Sequence, residues 1–240
     1  MRKLNLIYLV PLFFLVYCAK PKKIYVQTNK EEVTTAIQED PEIKRFLSPY
    51  KDSLSIIMDS VIGYSQKELL RGRPESLLGN FMLDASLSYA LKNGWADTST
   101  STIAMMNFGG LRSPINQGNI TIGDIYKLMP FDNLLVIAKL PKSALSEIYE
   151  YNKATGGEPI AGFKIHGDKV TPIGFEEFED TIEVVTTDYL YNGGDKMEFF
   201  EKSFSYQNTG VLLRDVLIEY TIEQDTIQVE LENRIDFNHE

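Results

Sequence analysis

A turn with two adjacent glycines and an arginine is the first segment of the chain that could do chemistry. It reads Asn107-Phe108-Gly109-Gly110-Leu111-Arg112 and follows the apolar run 102–106, which predicts a buried strand. Glycine allows the backbone to approach a ligand closely, and exposed N–H groups beside a guanidinium suit an anion. An ordinary glycine turn with a solvated arginine fits the same residues equally well.

Two further loops carry aromatic residues beside turn residues. Phe131 lies in Pro130-Phe131-Asp132-Asn133, and Tyr189 begins a loop that continues to Asn192-Gly193-Gly194-Asp195. Two aromatic rings from separate loops are suited to hold a nucleobase between them, because every base has a π face. An aspartate after a Gly-Gly turn is placed to accept two ribose hydroxyl hydrogen bonds. A core phenylalanine that caps the sheet is the alternative for Phe131.

The elements that must position these loops form an irregular alternation of helices and strands. Apolar periodicity predicts helices over 42–60, 75–93, 121–128, 143–152 and 211–220. It predicts strands over 102–106, 134–140, 163–165, 182–186 and 226–229. Such an order favours an α+β fold, a mixed α/β sandwich, over a doubly wound parallel sheet.

Composition limits the function classes. The 240 residues are 43% hydrophobic and 24% charged, which excludes wholesale disorder and a multi-span membrane protein. The formal charge of −10 makes binding of a nucleic-acid polymer unexpected, although locally gathered arginines still allow a small anionic ligand. The only histidines are His166 and His239, and we expect both at the surface rather than at a metal.

The N-terminus resembles a secretory signal. Arg2 and Lys3 precede an apolar run, and residues 1–17 are predicted to be removed. Leu15-Val16-Tyr17-Cys18 resembles a bacterial lipobox, so Cys18, the only cysteine, is predicted to carry a lipid. The alternative is a plain signal peptide with a cysteine at its edge. If Cys18 carries a lipid, residues 18–43 are expected to be a lipidated tether and residues 44–240 to form the domain. The protein is then expected to be extracytoplasmic and membrane-anchored.

The ordered motifs together resemble one family, the 5′-nucleotidase C-terminal domain. The glycine turn, the run from Ile120-Thr121 to Pro130-Phe131-Asp132-Asn133, and Asn192-Gly193-Gly194-Asp195 occur in that family's order. The resemblance implies that Phe131 and Tyr189 stack the base and that Asp195 holds the ribose. The substrate-binding residues that it implies are Asn107, Gly109, Gly110, Arg112, Phe131, Tyr189, Asn192, Gly194, Asp195 and Arg73.

The resemblance also implies finer roles and leaves one of them open. Asn107 would reach the base edge and Arg112 the anionic side of the ligand, with a further arginine supplied by Arg71 or Arg73. The sequence departs from the family pattern at Phe108 and at Tyr189, where a glycine and a phenylalanine are common. Because a phenyl ring keeps the π face, Tyr189→Phe is expected to leave binding nearly unchanged.

The motifs of the family's other half, a di-metal metallophosphoesterase domain, do not occur in this sequence. Asp-x-His and Gly-Asn-His are both missing. We therefore expect a nucleotide-binding specificity domain with no cofactor of its own, whose chemistry a separate metallophosphoesterase chain supplies with its divalent metals. Two alternatives stay open: a self-sufficient phosphohydrolase with a metal at Asp188 and Asp195, and a non-catalytic surface or scaffold lipoprotein.

Overall fold

The computed structural model describes residues 38–97 and 100–238, and the structural statements below concern these residues. They divide into two units between Arg45 and Phe46. The predicted signal peptide and Cys18 lie outside the described residues, so both stay predictions, as does a domain boundary at residue 44. None of the described helices combines the length and the apolar character needed to cross a bilayer.

Helices and strands alternate irregularly along the described residues. The helices are α1 (Pro41–Met58), α2 (Leu77–Lys92), α3 (Ile122–Leu128), α4 (Ala144–Thr155), α5 (Asp188–Tyr191) and α6 (Leu213–Gln224). The strands are β1 (Val61–Ser65), β2 (Ser101–Met105), β3 (Gly118–Thr121), β4 (Leu134–Pro141), β5 (Ile160–Ala161), β6 (Phe163–His166), β7 (Lys169–Pro172), β8 (Thr181–Thr187), β9 (Ser205–Leu212), β10 (Thr226–Ile227) and β11 (Ile235–Asp236).

A five-stranded mixed sheet with the order β5-β2-β8-β4-β9 forms the centre of the larger unit. β2 and β8 are parallel, with Ala104 opposite Val185, whereas β4 is antiparallel to β8, with Leu135 opposite Thr187. Two three-stranded sheets, β10-β1-β3 and β11-β6-β7, accompany it. Helices beside mixed sheets make the fold α+β, which confirms the predicted class.

Apolar burial explains why α2 lies where it does. Leu78, Phe81, Met82 and Ala85 are all buried, and the helix contacts β2, β5, β8 and α6. Ser76 caps the helix by accepting the amide hydrogen of Gly79 at 3.1 Å. α2 therefore packs on the sheet whose strands carry the predicted site.

Some elements differ from the sequence-based prediction. Thr121 caps α3 as expected, in a reciprocal capping box with Asp124. The prediction that Val211 begins a helix was wrong, because Val211 lies in β9 and α6 starts at Leu213. β9 lies at the edge of the sheet and is largely exposed, so it lacks the apolar alternation that identifies a strand.

Candidate functional site

Three loops at one end of the strands of the five-stranded sheet line a cavity of about 310 Å³. β2 leads into the glycine turn at 107–112, β8 leads into the loop 188–195, and β4 follows the loop 130–133. Because β2 and β8 are parallel and β4 is antiparallel to β8, the last residues of β2 and β8 and the first residues of β4 lie at the same end of the sheet. The lining residues are Asn107, Gly109, Gly110, Arg112, Phe131, Asn133, Tyr189 and Asp195.

Most of the predicted substrate-binding residues therefore lie together. Of those ten residues, Arg73, Asn192 and Gly194 do not line the cavity. Each of the three nevertheless contacts one of its loops. Asn192 donates to the carbonyl of Asp188 at 2.7 Å, and Gly194 lies against the ring of Tyr189. A direct contact of these three residues with a ligand stays a prediction.

The glycines are required by the close packing of neighbouring side chains. A Cβ atom on Gly110 would lie 3.0 Å from Oδ1 of Asn107, and one on Gly194 would lie 2.5 Å from Cε1 of Tyr189. Real Cβ contacts essentially never approach the second distance, so a side chain at residue 194 would displace the tyrosine ring. The glycines thus give Asn107 and Tyr189 the room they need at the cavity.

Glu158, which the sequence analysis did not single out, holds the glycine turn. Its carboxylate accepts the backbone N–H of Phe108 and pairs with Arg73 at 2.5 Å, although only 3% of the residue is exposed. Burial raises the pKa of Glu158, and the Phe108 amide and the Arg73 guanidinium offset part of that rise. Glu158 and Phe108 are 50 residues apart in the sequence, so no local pattern could have identified this contact.

The two candidate arginines before α2 both contact Phe108. The guanidinium carbon of Arg73 lies 4.5 Å from the centroid of that ring, and that of Arg71 lies 5.0 Å from it. Arg71 also donates to the carbonyl of Leu111 at 3.1 Å. Phe108, a departure from the family pattern, thus fixes both arginines beside the glycine turn.

Arg112 is the arginine whose charge faces the cavity. Its guanidinium carbon lies 5.8 Å from the centroid of the Phe131 ring. Among the described residues, no carboxylate lies within ion-pair distance of Arg112, whereas Arg73 is paired with Glu158. An anionic ligand group in the cavity therefore does not compete with an acidic side chain of the described residues for the Arg112 guanidinium.

Asp195 is held by three side chains. Its backbone has φ 51°, in the left-handed region, and its carbonyl accepts the Tyr151 hydroxyl at 2.8 Å. Asn107 Nδ2 donates to Oδ2 at 2.6 Å, and the Tyr189 hydroxyl donates to Oδ1 at 2.9 Å. Burial, together with the charges of Glu158 and Asp195, raises the pKa of Tyr151 to about 12, so this donor stays protonated at neutral pH.

Two aromatic rings on the cavity wall are open to solvent. Phe131 is 40% exposed and Tyr189 is 46% exposed. Asp188 connects their loops, because its Oδ1 accepts the amide hydrogens of Leu134 at 2.9 Å and of Tyr189 at 2.8 Å. Exposed aromatic faces on fixed loops are suited to stacking with a planar ligand.

Arg214 in α6 holds the Phe131 loop and was also missed by the sequence analysis. Its guanidinium donates to the carbonyls of Met129 at 3.4 Å and Phe131 at 3.3 Å, and it pairs with Asp132 at 2.8 Å. The same group lies 4.3 Å from the centroid of the Tyr126 ring. No signal near residue 214 in the sequence relates it to a loop more than 80 residues away.

The comparisons with known proteins agree on one family. The model of the "5'-nucleotidase, C-terminal domain" family matches residues 61–202, which is more than half of the chain. The trifunctional nucleotide phosphoesterase protein YfkN of Bacillus subtilis is 27% identical over 231 residues, covering 82% of this chain and 15% of that protein. Protein UshA of Yersinia enterocolitica is 26% identical over 209 residues, covering 78% of this chain and 35% of that protein.

A solved structure shares the fold. The 5′-nucleotidase precursor from Thermus thermophilus superimposes with a TM-score of 0.67 at 26% identity, covering 84% of this chain and 44% of that chain. The chain therefore spans less than half the length of each of these relatives.

Proposed function

Because the chain belongs to the 5′-nucleotidase C-terminal domain family, we propose that its 310 Å³ cavity binds a nucleoside or nucleotide. One observation carries the proposal. Two exposed aromatic rings, a guanidinium without an acidic partner in the described part of the chain, and a hydrogen-bonded aspartate all line this one cavity and come from three separate loops. These are the groups that a planar base, an anion and a pair of sugar hydroxyls require.

Each part of the ligand has a chemical partner in the cavity. The base stacks between Phe131 and Tyr189, and the ribose hydroxyls donate to the carboxylate of Asp195. Arg112 attracts the phosphate. One hydrogen of Asn107 Nδ2 is bonded to Asp195, so Asn107 can offer its Oδ1 as an acceptor and its second amide hydrogen as a donor to the base edge.

The chain then acts as the substrate-binding part of a nucleotidase in extracytoplasmic nucleotide breakdown. A separate metallophosphoesterase chain would supply the divalent metals and the hydrolysis, and a lipid on Cys18 would hold the domain at the membrane. The sequence motifs support this division, since no Asp-x-His or Gly-Asn-His occurs in the chain. Within the described residues, no group of three or more potential metal-ligating His, Cys, Asp or Glu side chains comes together.

The self-sufficient phosphohydrolase is less well supported. It would use Asp188 and Asp195 as metal ligands, but Oδ1 of Asp188 already accepts two backbone amide hydrogens. Oδ1 and Oδ2 of Asp195 each accept a side-chain hydrogen bond. Both carboxylates are therefore already engaged by hydrogen-bond donors of the protein.

Titration calorimetry of the purified protein with adenosine and AMP tests the proposal. We expect saturable binding of both, and Phe131→Ala should weaken it by about 1–3 kcal/mol, the value of one base stack. Phe204→Ala is the matched control, since Phe204 is 61% exposed and does not line the cavity. Lack of binding by the wild type, or equal affinities for Phe131→Ala and the wild type, would contradict the proposal.

An assay of phosphate release from AMP with Mn²⁺, Zn²⁺ or Co²⁺ shows whether this chain hydrolyses the nucleotide itself or needs a separate metallophosphoesterase chain. We expect no turnover by the chain alone, because the hydrolytic motifs are missing from the sequence. Metal-dependent turnover near an ordinary enzyme's ~10 s⁻¹ would establish the self-sufficient enzyme instead.

A further inference from the structure

The hydroxyl group of Tyr189 makes a hydrogen bond that the stacking role of its ring does not require. It donates to Oδ1 of Asp195 at 2.9 Å, within the same loop and at the cavity wall. Asn107 donates to the other carboxylate oxygen, Oδ2, at 2.6 Å. The carboxylate is therefore held at both of its oxygens, by donors from two different loops.

This arrangement leaves a defined pair of acceptor positions. An ionised carboxylate has about four lone-pair positions, two on each oxygen. Tyr189 and Asn107 each occupy one position, on different oxygens, so one position remains on each oxygen. Two neighbouring hydroxyl donors, such as those of a vicinal diol, match this pair, whereas a single hydroxyl uses only half of it.

Tyr189 and Asp195 are each fixed by other contacts. The ring of Tyr189 lies against Gly194 and its amide hydrogen donates to Asp188 at 2.8 Å, whereas Tyr151 holds the carbonyl of Asp195. The hydrogen bond from the hydroxyl group therefore joins two groups that the fold already places together. Its remaining effect is on the orientation of the Asp195 carboxylate.

We propose that Tyr189 is a positioning residue whose hydroxyl group makes the cavity selective for ligands with a vicinal diol. The inference rests on the proposed function, because it concerns the sugar side of the same nucleoside site. A phenyl ring at this position keeps the stacking face but leaves Oδ1 to water, and the carboxylate is then held by a side chain only at Oδ2, through Asn107. The expectation from sequence that Tyr189→Phe is nearly silent is thereby revised.

Titration calorimetry with adenosine and 2′,3′-dideoxyadenosine separates the two roles of Tyr189. The wild type should prefer adenosine, and Tyr189→Phe should reduce that preference by about threefold to tenfold, as expected for one hydrogen bond. The affinity of Tyr189→Phe for the dideoxynucleoside should match that of the wild type, which also shows that the cavity is intact. Tyr64→Phe, at an exposed tyrosine outside the cavity, is the matched control.

A double-mutant cycle with Asp195→Ala completes the test. If the hydroxyl group acts through the carboxylate, Tyr189→Phe should not change the diol preference further in the Asp195→Ala background. An unchanged preference in Tyr189→Phe, or an equal loss for both nucleosides, would overturn the inference while leaving nucleoside binding established. Failure of the wild type to bind either nucleoside would instead contradict the proposed function.

Discussion

Replacing Arg214 by methionine should weaken both the fold and the base platform. Arg214 is buried in α6 and its guanidinium donates to the carbonyls of Met129 and Phe131. Methionine keeps the apolar stem and removes these donors. The loop that presents the Phe131 ring then loses its link to α6, so we expect lower stability and weaker nucleoside binding together.

The magnitude follows from the contacts of the guanidinium. Hydrogen bonds to a charged group contribute about 1.5–3 kcal/mol, and the contact with the Tyr126 ring adds about 0.5–2 kcal/mol. The ion pair with Asp132 adds little, since that side chain is 82% exposed. A loss of about 2–5 kcal/mol is the result, or roughly 4–20 °C in unfolding temperature for a domain of this size.

Calorimetry measures both effects on the same samples. Differential scanning gives the unfolding temperature, and titration with adenosine should show a loss of affinity that does not exceed about 150-fold, the upper value of one base stack. Asp132→Asn is the matched control and should cost less than about 1 kcal/mol. If Arg214→Met unfolds at the wild-type temperature, or binds adenosine equally well, Arg214 does not hold the platform.

Three further predictions address the remaining parts of the account. Because burial raises the pKa of Glu158 above its ordinary value of 4.5, its ionisation lowers stability as the pH rises from about 4.5 through the folded-state pKa. The unfolding temperature of Glu158→Gln relative to the wild type should therefore rise across that window, and a constant difference in pH-dependent scanning would contradict the raised pKa. Arg112→Gln should weaken AMP more than adenosine in titration, whereas equal losses would remove Arg112 from the phosphate side. Cys18→Ser should prevent membrane fractionation and lipid labelling in cells, and an unchanged fractionation would refute the lipid anchor.

The sequence allowed the loops of the site to be predicted, because local patterns mark them. Gly109-Gly110 before an arginine, Pro130 before Phe131, and Gly193-Gly194 before Asp195 are all visible as short motifs. The cavity brings residues of all three loops together at one end of β2, β8 and β4. The loops lie at the same end of the sheet because β8 pairs in parallel with β2 and antiparallel with β4, and the sequence did not specify these pairings.

The residues that support the loops could not be predicted in the same way. Glu158, Tyr151 and Arg214 each contact a loop between 44 and 85 residues away, through hydrogen bonds or ion pairs. No periodicity or motif relates residues at such separations. The same limit applies to Arg73, whose pairing with Glu158 depends on a contact across 85 residues.

A crystal structure of the protein with AMP would show where the base, the ribose and the phosphate lie. We predict that the base lies between the rings of Phe131 and Tyr189 and that both ribose hydroxyls lie within hydrogen-bond distance of the Asp195 carboxylate. The phosphate should lie on the side of Arg112. An ordered nucleotide bound elsewhere on the protein, with the cavity open to solvent at saturating AMP, would contradict this prediction.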